Sequence, residues 1–185
     1  MNFLQNKDNL TNINSIKIKT INDFVQIKDL WEDIEEACDM TVFQSFEWNK
    51  LLYLEWSQSK YNRLFSDIEV FYIRDSVHKM IIPAIVQYRT TKLKAGLGRK
   101  KGIYLLGQGS YSDYLNCIYD TFSEKVFKDL LDYISSKYPN YKFFLYNIRE
   151  DTEFYRFLSK YYSFVGTTVS VHVEIPNSKE EFDKS

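Results

Sequence analysis

Cysteine is nearly absent from this sequence, in which Cys38 and Cys117 are the only two among 185 residues. They lie far apart, and neither has a histidine neighbour at the spacing of a metal ligand. A structural zinc site needs about four closely spaced ligands, so the sequence excludes one and no metal is expected. We expect both residues to be free thiols of a protein in a reducing compartment.

Long apolar runs are absent as well. The longest run, at residues 80–86, contains Pro83 and is far shorter than the roughly 20 residues of a membrane-spanning helix. Residues 1–14 are polar and rich in asparagine, without the apolar centre of a signal peptide. The sequence therefore predicts a cytoplasmic protein without a transmembrane segment.

Neither charge sign is in excess, because 24 lysine and arginine residues face 25 aspartate and glutamate residues and leave a net charge of −1. Such a balance gives no global field that attracts nucleic acid, so no nucleic-acid partner is expected. Aromatic residues are abundant instead, with 15 tyrosines and 14 phenylalanines. Tyrosine-rich surfaces suit sugars or peptides, because the ring packs while the hydroxyl hydrogen-bonds. A biased codon usage would give the same enrichment.

The apolar spacing in the first third of the chain predicts one strand and two helices. Alternation at residues 16–19 is typical of a half-buried strand. The first helix has Asn22 as its N-cap, and its inward positions are Phe24, Ile27, Leu30, Trp31 and Ile34. The second helix has Ser45 as its N-cap, and its inward positions are Trp48, Leu51, Leu52 and Trp56.

A hairpin follows, with strands at 69–74 and 79–89, and Pro83 should place the second strand at an edge or a bulge. The remaining predicted elements are strands at 103–106 and 113–118, a helix from Ser123, a strand at 142–148, a helix to about Tyr161 and a strand at 167–175. The strand at 142–148 is apolar on both faces, so we expect it at the centre of the sheet.

Four short motifs occur in order along these elements: Phe43-Gln44-Ser45-x-Glu47-Trp48, Ile82-Pro83, Leu106-Gly107 and Ser112-Asp113-Tyr114-Leu115. Together with the element order, they resemble the GNAT superfamily of acyltransferases. More specifically, they are similar to the CelD/BcsL group, which is linked to cellulose and other polysaccharide biosynthesis and is related to the FemAB-type aminoacyl transferases. The resemblance covers roughly residues 15–185.

The resemblance implies an α/β (α+β) fold with a mixed, mainly antiparallel sheet and helices on both faces. It implies that the chain is the N-terminal half of an acyl-CoA-dependent or aminoacyl acyltransferase. The acceptor would be a cell-envelope or polysaccharide precursor, and the partner would be a second GNAT-like domain of the same protein.

The resemblance also implies roles for two residues near the end of the chain. Asn147 matches the asparagine that holds the cofactor, and Tyr155 on the next helix matches the phenol that protonates the departing thiolate. A phenol with a pKa of about 10 suits that role, because it can donate to a strongly basic sulfur. The alternative, which we favour, is that Tyr155 and the aromatic residues around it serve simple helix packing.

The glycine-rich loop of the family is missing at its expected place. The pyrophosphate of acyl-CoA normally rests on such a loop at the start of a helix, where free N–H groups and the helix dipole bind anions. Residues 119–124 of this chain contain no glycine and two acids, Asp120 and Glu124. We therefore expect this chain to bind acetyl-CoA or another acyl-CoA weakly or not at all, although the full-length protein could use one.

Two other segments are candidates for anion or substrate binding. No acid occurs between Ser76 and Ser112, whereas six bases crowd one part of that range: Arg89, Lys92, Lys94, Arg99, Lys100 and Lys101. They indicate a site for a nucleotide-sugar phosphate, an anionic glycan or a lipid headgroup, or else a solvated hairpin tip. The second segment contains Gln108, Ser112, Asp113 and Tyr114, a mixture that suits either a carbohydrate-like acceptor cleft or a plain turn.

The predicted domain organisation is a flexible tail at 1–14, one GNAT-like domain at 15–176 and the start of a following element at 177–185. Ser178 and Glu181 form a capping box, which predicts a new helix there. Two functions remain open: the acyltransferase half, and a non-catalytic acceptor-binding or structural domain that has lost cofactor binding. The missing loop favours the second for this chain, and the resemblance favours the first for the full-length protein.

Overall fold

The computed structural model describes residues 12–38, 40–89, 100–108 and 115–161. Within these ranges one sheet contains β1 (Ile13–Ile18), β2 (Ser66–Arg74), β3 (Lys79–Gln87), β4 (Gly102–Leu105), β5 (Ile118–Tyr119) and β6 (Phe143–Phe144). The helices are α1 (Ile21–Val25), α2 (Lys28–Glu35), α3 (Phe46–Gln58), α4 (Lys60–Phe65), α5 (Glu124–Lys137) and α6 (Glu153–Tyr161), and Val42–Gln44 form a 3₁₀ turn. The expected α/β class is confirmed.

The described sheet is mainly antiparallel. Its strands follow the order β1-β2-β3-β4-β6, and β5 pairs with β3 beside that path. All pairs are antiparallel except β4 with β6, which is parallel. The hairpin of β2 and β3 is the longest ladder, and the Asp75 carboxylate closes its turn by accepting from the backbone N–H groups of Val77 and His78.

Helices cover both faces of the sheet, as expected. Alternate residues of β2 and β3 point to opposite faces, so Ile68 and Ile81 belong to one apolar core and Phe71 and Met80 to the other. The first core is completed by α1, α2 and α3, and the second by α5 and α6. The described strands therefore lie between two layers of helices.

The first predicted helix is divided into α1 and α2. All five of its predicted inward positions are buried, which confirms the 3/4 spacing. The predicted N-cap was wrong, because Thr20 caps α1 and forms a capping box with Asp23. The chain breaks helical geometry at Ile27, whose side chain stays in the core while α2 begins at Lys28.

The second predicted helix is α3, its N-cap Ser45 is confirmed, and α4 is a further helix that was not predicted. The predicted inward face of α3 was partly right: Leu52 and Trp56 pack against the core, whereas Leu51 is 56% exposed. The buried positions of α3 are Phe46, Asn49 and Tyr53. The rings of Phe24 and Phe46 are tilted by 58° with their centroids 5.7 Å apart, so Phe46 in the first turn of α3 packs against α1. Aromatic packing thus partly overrides the stripe of leucine and tryptophan seen in the sequence.

The strand predicted at 142–148 is much shorter than expected and is not central among the described strands. Phe143 and Phe144 pair in parallel with Ile103 and Tyr104, and β6 has β4 as its one described neighbour. Ile148 forms only an isolated bridge, with Leu115. Two observations explain the early end. The backbone N–H of Tyr146 donates to the side chain of Gln108 rather than to a strand, and Asn147 has a φ of 59°, which breaks extended geometry.

Several predicted ends of strands and segments differ from those in the structure. β1 begins at Ile13, inside the predicted tail, and pairs with Ile73 of β2. Of the strand predicted at 113–118, the structure describes Leu115 as a bridge to Ile148 and β5 at 118–119. The predicted strand at 167–175 and the predicted element at 177–185 lie outside the described residues.

Candidate functional site

The sheet is interrupted beside the middle of β3. One side of β3 pairs with β2 along its whole length, while the other side pairs first with β5, at Met80 and Ile81, and then with β4 from Ala84 onward. Pro83 lies between these two partners. It lies neither at an edge nor at a bulge, which corrects the expectation from the sequence.

The missing N–H of Pro83 explains why the interruption is tolerated. Its carbonyl accepts from the backbone N–H of Leu106 at 2.9 Å, so the carbonyl faces the β4 side. The nitrogen and carbonyl of one strand residue point to the same side, so the missing donor also faces Leu106, the residue that follows β4. A ladder donor is therefore absent where the pairing of β3 with β4 ends.

A small, partly open cleft lies at this gap. It is lined by Phe43, Gln44, Asn49, Pro83, Leu105, Leu106, Leu115, Asn116 and Ile118. Each of the four motifs recognised in the sequence contributes at least one of these residues. Segments that are far apart in the chain thus meet at one place, and among the described residues the lining consists of apolar side chains and three amides.

Two of the amides are held rigidly by the turn that leads into α3. The Gln44 side-chain oxygen accepts from the N–H and hydroxyl of Thr41, each at 3.2 Å. The Asn49 side-chain nitrogen donates to the carbonyls of Phe43 and Ser45, at 3.2 and 2.9 Å. The indole N–H of Trp31 donates to the Gln44 carbonyl at 2.9 Å and ties the turn to the core. One wall of the cleft is therefore preorganised.

The third amide, Asn116, stands on the opposite wall in front of β5. Its side-chain oxygen is buried without a hydrogen-bond partner among the described residues. Burial raises the pKa of the neighbouring Tyr119 phenol, and interactions with the Asn116 side chain and the Phe154 backbone N–H oppose that shift. The sequence analysis did not single out Asn116, although it directly follows the fourth motif.

The Gln108 side chain supports the backbone at the end of β4. Its side-chain oxygen accepts from the backbone N–H groups of Leu105, at 3.4 Å, and Tyr146, at 3.3 Å. The side chain is buried and joins the end of β4 to the segment after β6. Gly107 precedes it with a φ of 84°, a conformation that glycine adopts without strain. Ser112, Asp113 and Tyr114, the other candidates of this segment, lie outside the described residues.

The described part of the basic segment lies at one end of the sheet. Arg89, Lys100 and Lys101 are exposed where β3 ends and β4 begins, and Gln87 pairs with Gly102 there. The Lys101 ammonium lies 4.6 Å from the centre of the Tyr141 ring. Lys92, Lys94 and Arg99 lie outside the described residues. Arg89, Lys100 and Lys101 are at the far end of β3 from Met80 and β5.

Neither residue implied by the family resemblance is among the described residues that line the cleft. Asn147 is exposed in the turn after β6, and Tyr155 is half-buried in the first turn of α6. The N–H of Tyr155 donates to the hydroxyl of Thr152 at 3.1 Å, and Phe154, Phe157 and Leu158 form the buried face of this helix. The structure thus keeps Asn147 and Tyr155 outside the group of motif residues.

Two acidic residues with protein partners lie at the start of α5, where the GNAT resemblance would place a phosphate-binding loop. Glu124 accepts from Lys160 at 3.0 Å and from the hydroxyl of Tyr161 at 3.2 Å, and the lysine contact lowers the pKa of this carboxyl. Asp120 accepts from the backbone N–H groups of Lys79 and Thr121, at 3.0 and 2.5 Å. Both acids therefore have structural partners and remain as negative charges beside the helix start.

Comparisons with protein-family models, curated proteins and solved structures found no match for this chain. None of the described helices is long and apolar enough to cross a bilayer. Across the described ranges, no group of three or more histidine, cysteine or acidic side chains is arranged to hold a metal ion.

Proposed function

We propose that this chain is the N-terminal, GNAT-like half of an acyltransferase and that its cleft receives the acceptor. The acceptor is a cell-envelope or polysaccharide precursor, and the acyl donor is an acyl-CoA or an aminoacyl donor. In this proposal the second GNAT-like domain of the same protein contributes most of the donor site. The proposal joins the motif resemblance to the position of the cleft.

The observation that carries the proposal is the convergence of the four motifs. Phe43, Pro83, Leu106 and Leu115 come from four segments of the chain, and all of them line the same cleft. Leu106 and Leu115 also belong to the two apolar cores, so the cleft lies where both cores reach the interruption of the sheet. Mostly apolar walls with a few fixed polar groups are typical of small-molecule sites.

A second candidate, a non-catalytic domain that binds the acceptor, is favoured by the start of α5. Glu124 and Asp120 place negative charge where the donor pyrophosphate would lie, and both have protein partners. Tyr155, the residue that matches the family acid, is not among the residues that line the cleft. In this second candidate, the cleft keeps its acceptor while the reaction takes place elsewhere.

The two candidates differ in the release of thiol from acyl-CoA. The assay offers acetyl-CoA and a panel of amine and sugar acceptors to this chain and to the longer protein with the second half. The first candidate predicts turnover by the longer protein alone. The second predicts that neither releases thiol, although an acceptor binds to both. Turnover by the 185-residue chain itself would contradict both candidates.

Filling the cleft tests its role within the first candidate. Leu106 is buried in the lining, so Leu106→Phe should obstruct the cleft and lower transfer by at least about tenfold. Leu51→Phe is the matched control, since Leu51 is 56% exposed on α3. Circular dichroism establishes that both variants fold. Equal transfer by both folded variants would separate the cleft from the reaction.

A further inference from the structure

Exposed basic side chains from four segments of the chain gather where β3 ends and β4 begins. We call this group the basic end of the sheet: Arg63, Arg89, Lys100, Lys101 and Lys142. β3 and β4 pair there at Gln87 and Gly102, and the Lys142 carbonyl accepts from the next N–H of β4 at 2.8 Å. The Arg63 carbonyl accepts from the Tyr88 hydroxyl at 3.2 Å. Because neighbouring strands are about 4.8 Å apart, the four segments extend over roughly 15 Å.

The protein does not neutralise these five bases within the described ranges. None of the ion pairs between described residues involves one of them. Asp67, the first acid of β2, pairs with Lys17 at 3.2 Å. The Lys101 ammonium contacts the Tyr141 ring rather than a carboxylate. The basic end therefore presents a positive charge to the solvent.

The short helix α4 exposes apolar side chains next to these bases. Positions 60, 61, 63 and 64 are neighbours around a helix and form one exposed face, which consists of Lys60, Tyr61, Arg63 and Leu64. Tyr61 is 42% exposed and Leu64 is 54% exposed. Leu64 lies between Arg63 and Phe65, whose carbonyls both accept from Tyr88 just after β3. Exposed apolar groups thus adjoin the basic end.

We propose that the basic end and the exposed face of α4 dock the protein on the surface of an anionic lipid bilayer. The bases bind lipid phosphate groups, while Leu64 and Tyr61 enter the boundary between headgroups and acyl chains. A tyrosine suits that boundary, because its ring is apolar and its hydroxyl is polar. This inference goes beyond the proposed function and does not depend on it, since neither the cleft nor an acyl donor takes part.

The exposed apolar groups favour a bilayer over a soluble polyanion. A nucleic acid or an acidic polysaccharide would use the bases but would offer no apolar interior to Leu64. A bilayer offers both, so its binding should have two parts. The bases supply a part that weakens with salt, because exposed charges are screened over about 8–10 Å at physiological ionic strength. Leu64 and Tyr61 supply a part that persists at high salt.

Sedimentation with vesicles tests the proposal. The 185-residue chain is mixed with sucrose-loaded vesicles of phosphatidylcholine alone, or of equimolar phosphatidylcholine and phosphatidylglycerol, and the bound fraction is measured against lipid concentration. The anionic vesicles should bind at least about tenfold more tightly, since each base at an anionic surface contributes about fivefold. The preference should weaken as salt increases. Equal binding to both vesicles, or binding to neither, would overturn the proposal.

A charge variant tests the role of the basic end. It replaces with glutamine three of the bases: Arg89, Lys100 and Lys101. Its binding to the anionic vesicles should weaken at least about tenfold. The matched control replaces with glutamine three exposed bases of α5 and α6: Lys125, Lys128 and Arg156. The control should bind as the unaltered chain does, and equal losses in the two variants would contradict a specific surface.

Leu64→Ser tests the apolar contact. It should weaken binding to the anionic vesicles severalfold at low and at high salt, whereas Val77→Ser should leave binding unchanged. Val77 is the matched control, because it is 66% exposed in the turn at the other end of the β2–β3 hairpin. Thermal unfolding establishes that all variants fold. If Leu64→Ser binds the vesicles normally, or if dextran sulfate in solution binds the chain as tightly as the vesicles do, the partner is a soluble polyanion and the bilayer proposal is overturned.

Discussion

A single buried carboxylate joins the C-terminal end of α5 to the sheet. Glu69 of β2 is fully buried, and it accepts from the Lys137 ammonium at 2.5 Å and from the Tyr138 hydroxyl. Burial, together with the Glu69 contact, raises the pKa of Tyr138 well above its ordinary value, so this phenol remains a donor. The Lys137 ammonium also reaches the Ser15 hydroxyl of β1 at 2.6 Å. Three elements therefore depend on the charge of Glu69.

Removing this carboxylate should be costly. Glu69→Ala leaves Lys137 and Tyr138 without their shared acceptor, and the loss of one partner of a buried pair typically costs about 3–5 kcal/mol. Lys137 is about one-third exposed, so we expect the lower end, about 3 kcal/mol, in the free energy of unfolding measured with urea. Lys125→Ala breaks the exposed pair with Asp129 and should cost less than about 1 kcal/mol. Similar losses in both variants would contradict this account.

At the scale of the elements, the parallel pair of β4 and β6 depends on a close approach at Gly102. A Cβ atom at this position would lie 2.6 Å from the Lys142 carbonyl oxygen and 2.5 Å from the ring of Phe144. The same carbonyl accepts from the N–H of Ile103 at 2.8 Å, so the backbone cannot retreat without losing that bond. Only glycine allows the two strands this separation.

Gly102→Ala should therefore separate β4 from β6. Overpacking of this kind costs about 1–3 kcal/mol, and we expect a loss in that range in the free energy of unfolding. Faster hydrogen exchange at the Ile103 amide should locate the effect at the strand pair. Lys101→Ala, next in the chain and exposed, should cost less than about 1 kcal/mol and leave that amide protected. Unchanged exchange at Ile103 in Gly102→Ala would contradict the prediction.

The elements also show which parts of the fold can be predicted from the sequence. Period-two and 3/4 spacing located the hairpin and the buried positions Phe24, Ile27 and Trp31, because these positions face a core in any packing. The predicted inward face of α3 was only partly right, and the strand predicted at 142–148 was much too long. Both depend on contacts between distant residues, Phe46 with Phe24 and Gln108 with Tyr146, and local spacing carries no signal for such contacts.

The cleft, too, could be predicted from the sequence only in part. The motifs contain Gln44, Pro83 and Leu106, but their order along the chain could not show that these residues line one cleft. Asn116 carried no signal of its own, since an asparagine after a strand is usually a turn residue. It gains meaning from its unpartnered buried oxygen, which is a property of the folded chain alone.

In the described part of the molecule, charge is distributed unevenly along β3. Arg89 and Lys100 are exposed where Gln87 pairs with Gly102, whereas at the other end of the strand Asp120 accepts from the Lys79 backbone N–H and the Lys79 ammonium pairs with Asp33. A nine-residue strand spans roughly 25 Å at about 3.3 Å per residue. The exposed bases are therefore far from the acids at the start of α5. An anion in solution should approach the basic end and avoid the start of α5.

This separation predicts weak binding of acetyl-CoA. The cofactor's pyrophosphate would need free N–H groups at the start of α5, but Ser123 caps that helix and Glu124 adds a negative charge. Calorimetric titration of acetyl-CoA into this chain should show no saturable binding at micromolar concentration. The double variant Asp120→Asn and Glu124→Gln should not restore it, because it removes the charge without supplying a glycine loop.

Residual binding of acetyl-CoA should come from the basic end of the sheet. Such binding should weaken as salt increases, because exposed charges are screened over about 8–10 Å at physiological ionic strength. Charge reversal at Arg89, Lys100 and Lys101 should remove it, whereas the double variant at Asp120 and Glu124 should leave it unchanged. A micromolar dissociation constant that survives the reversal would instead locate the cofactor at α5. Tyr155 would then be the candidate acid, and Tyr155→Phe should slow turnover without unfolding the protein.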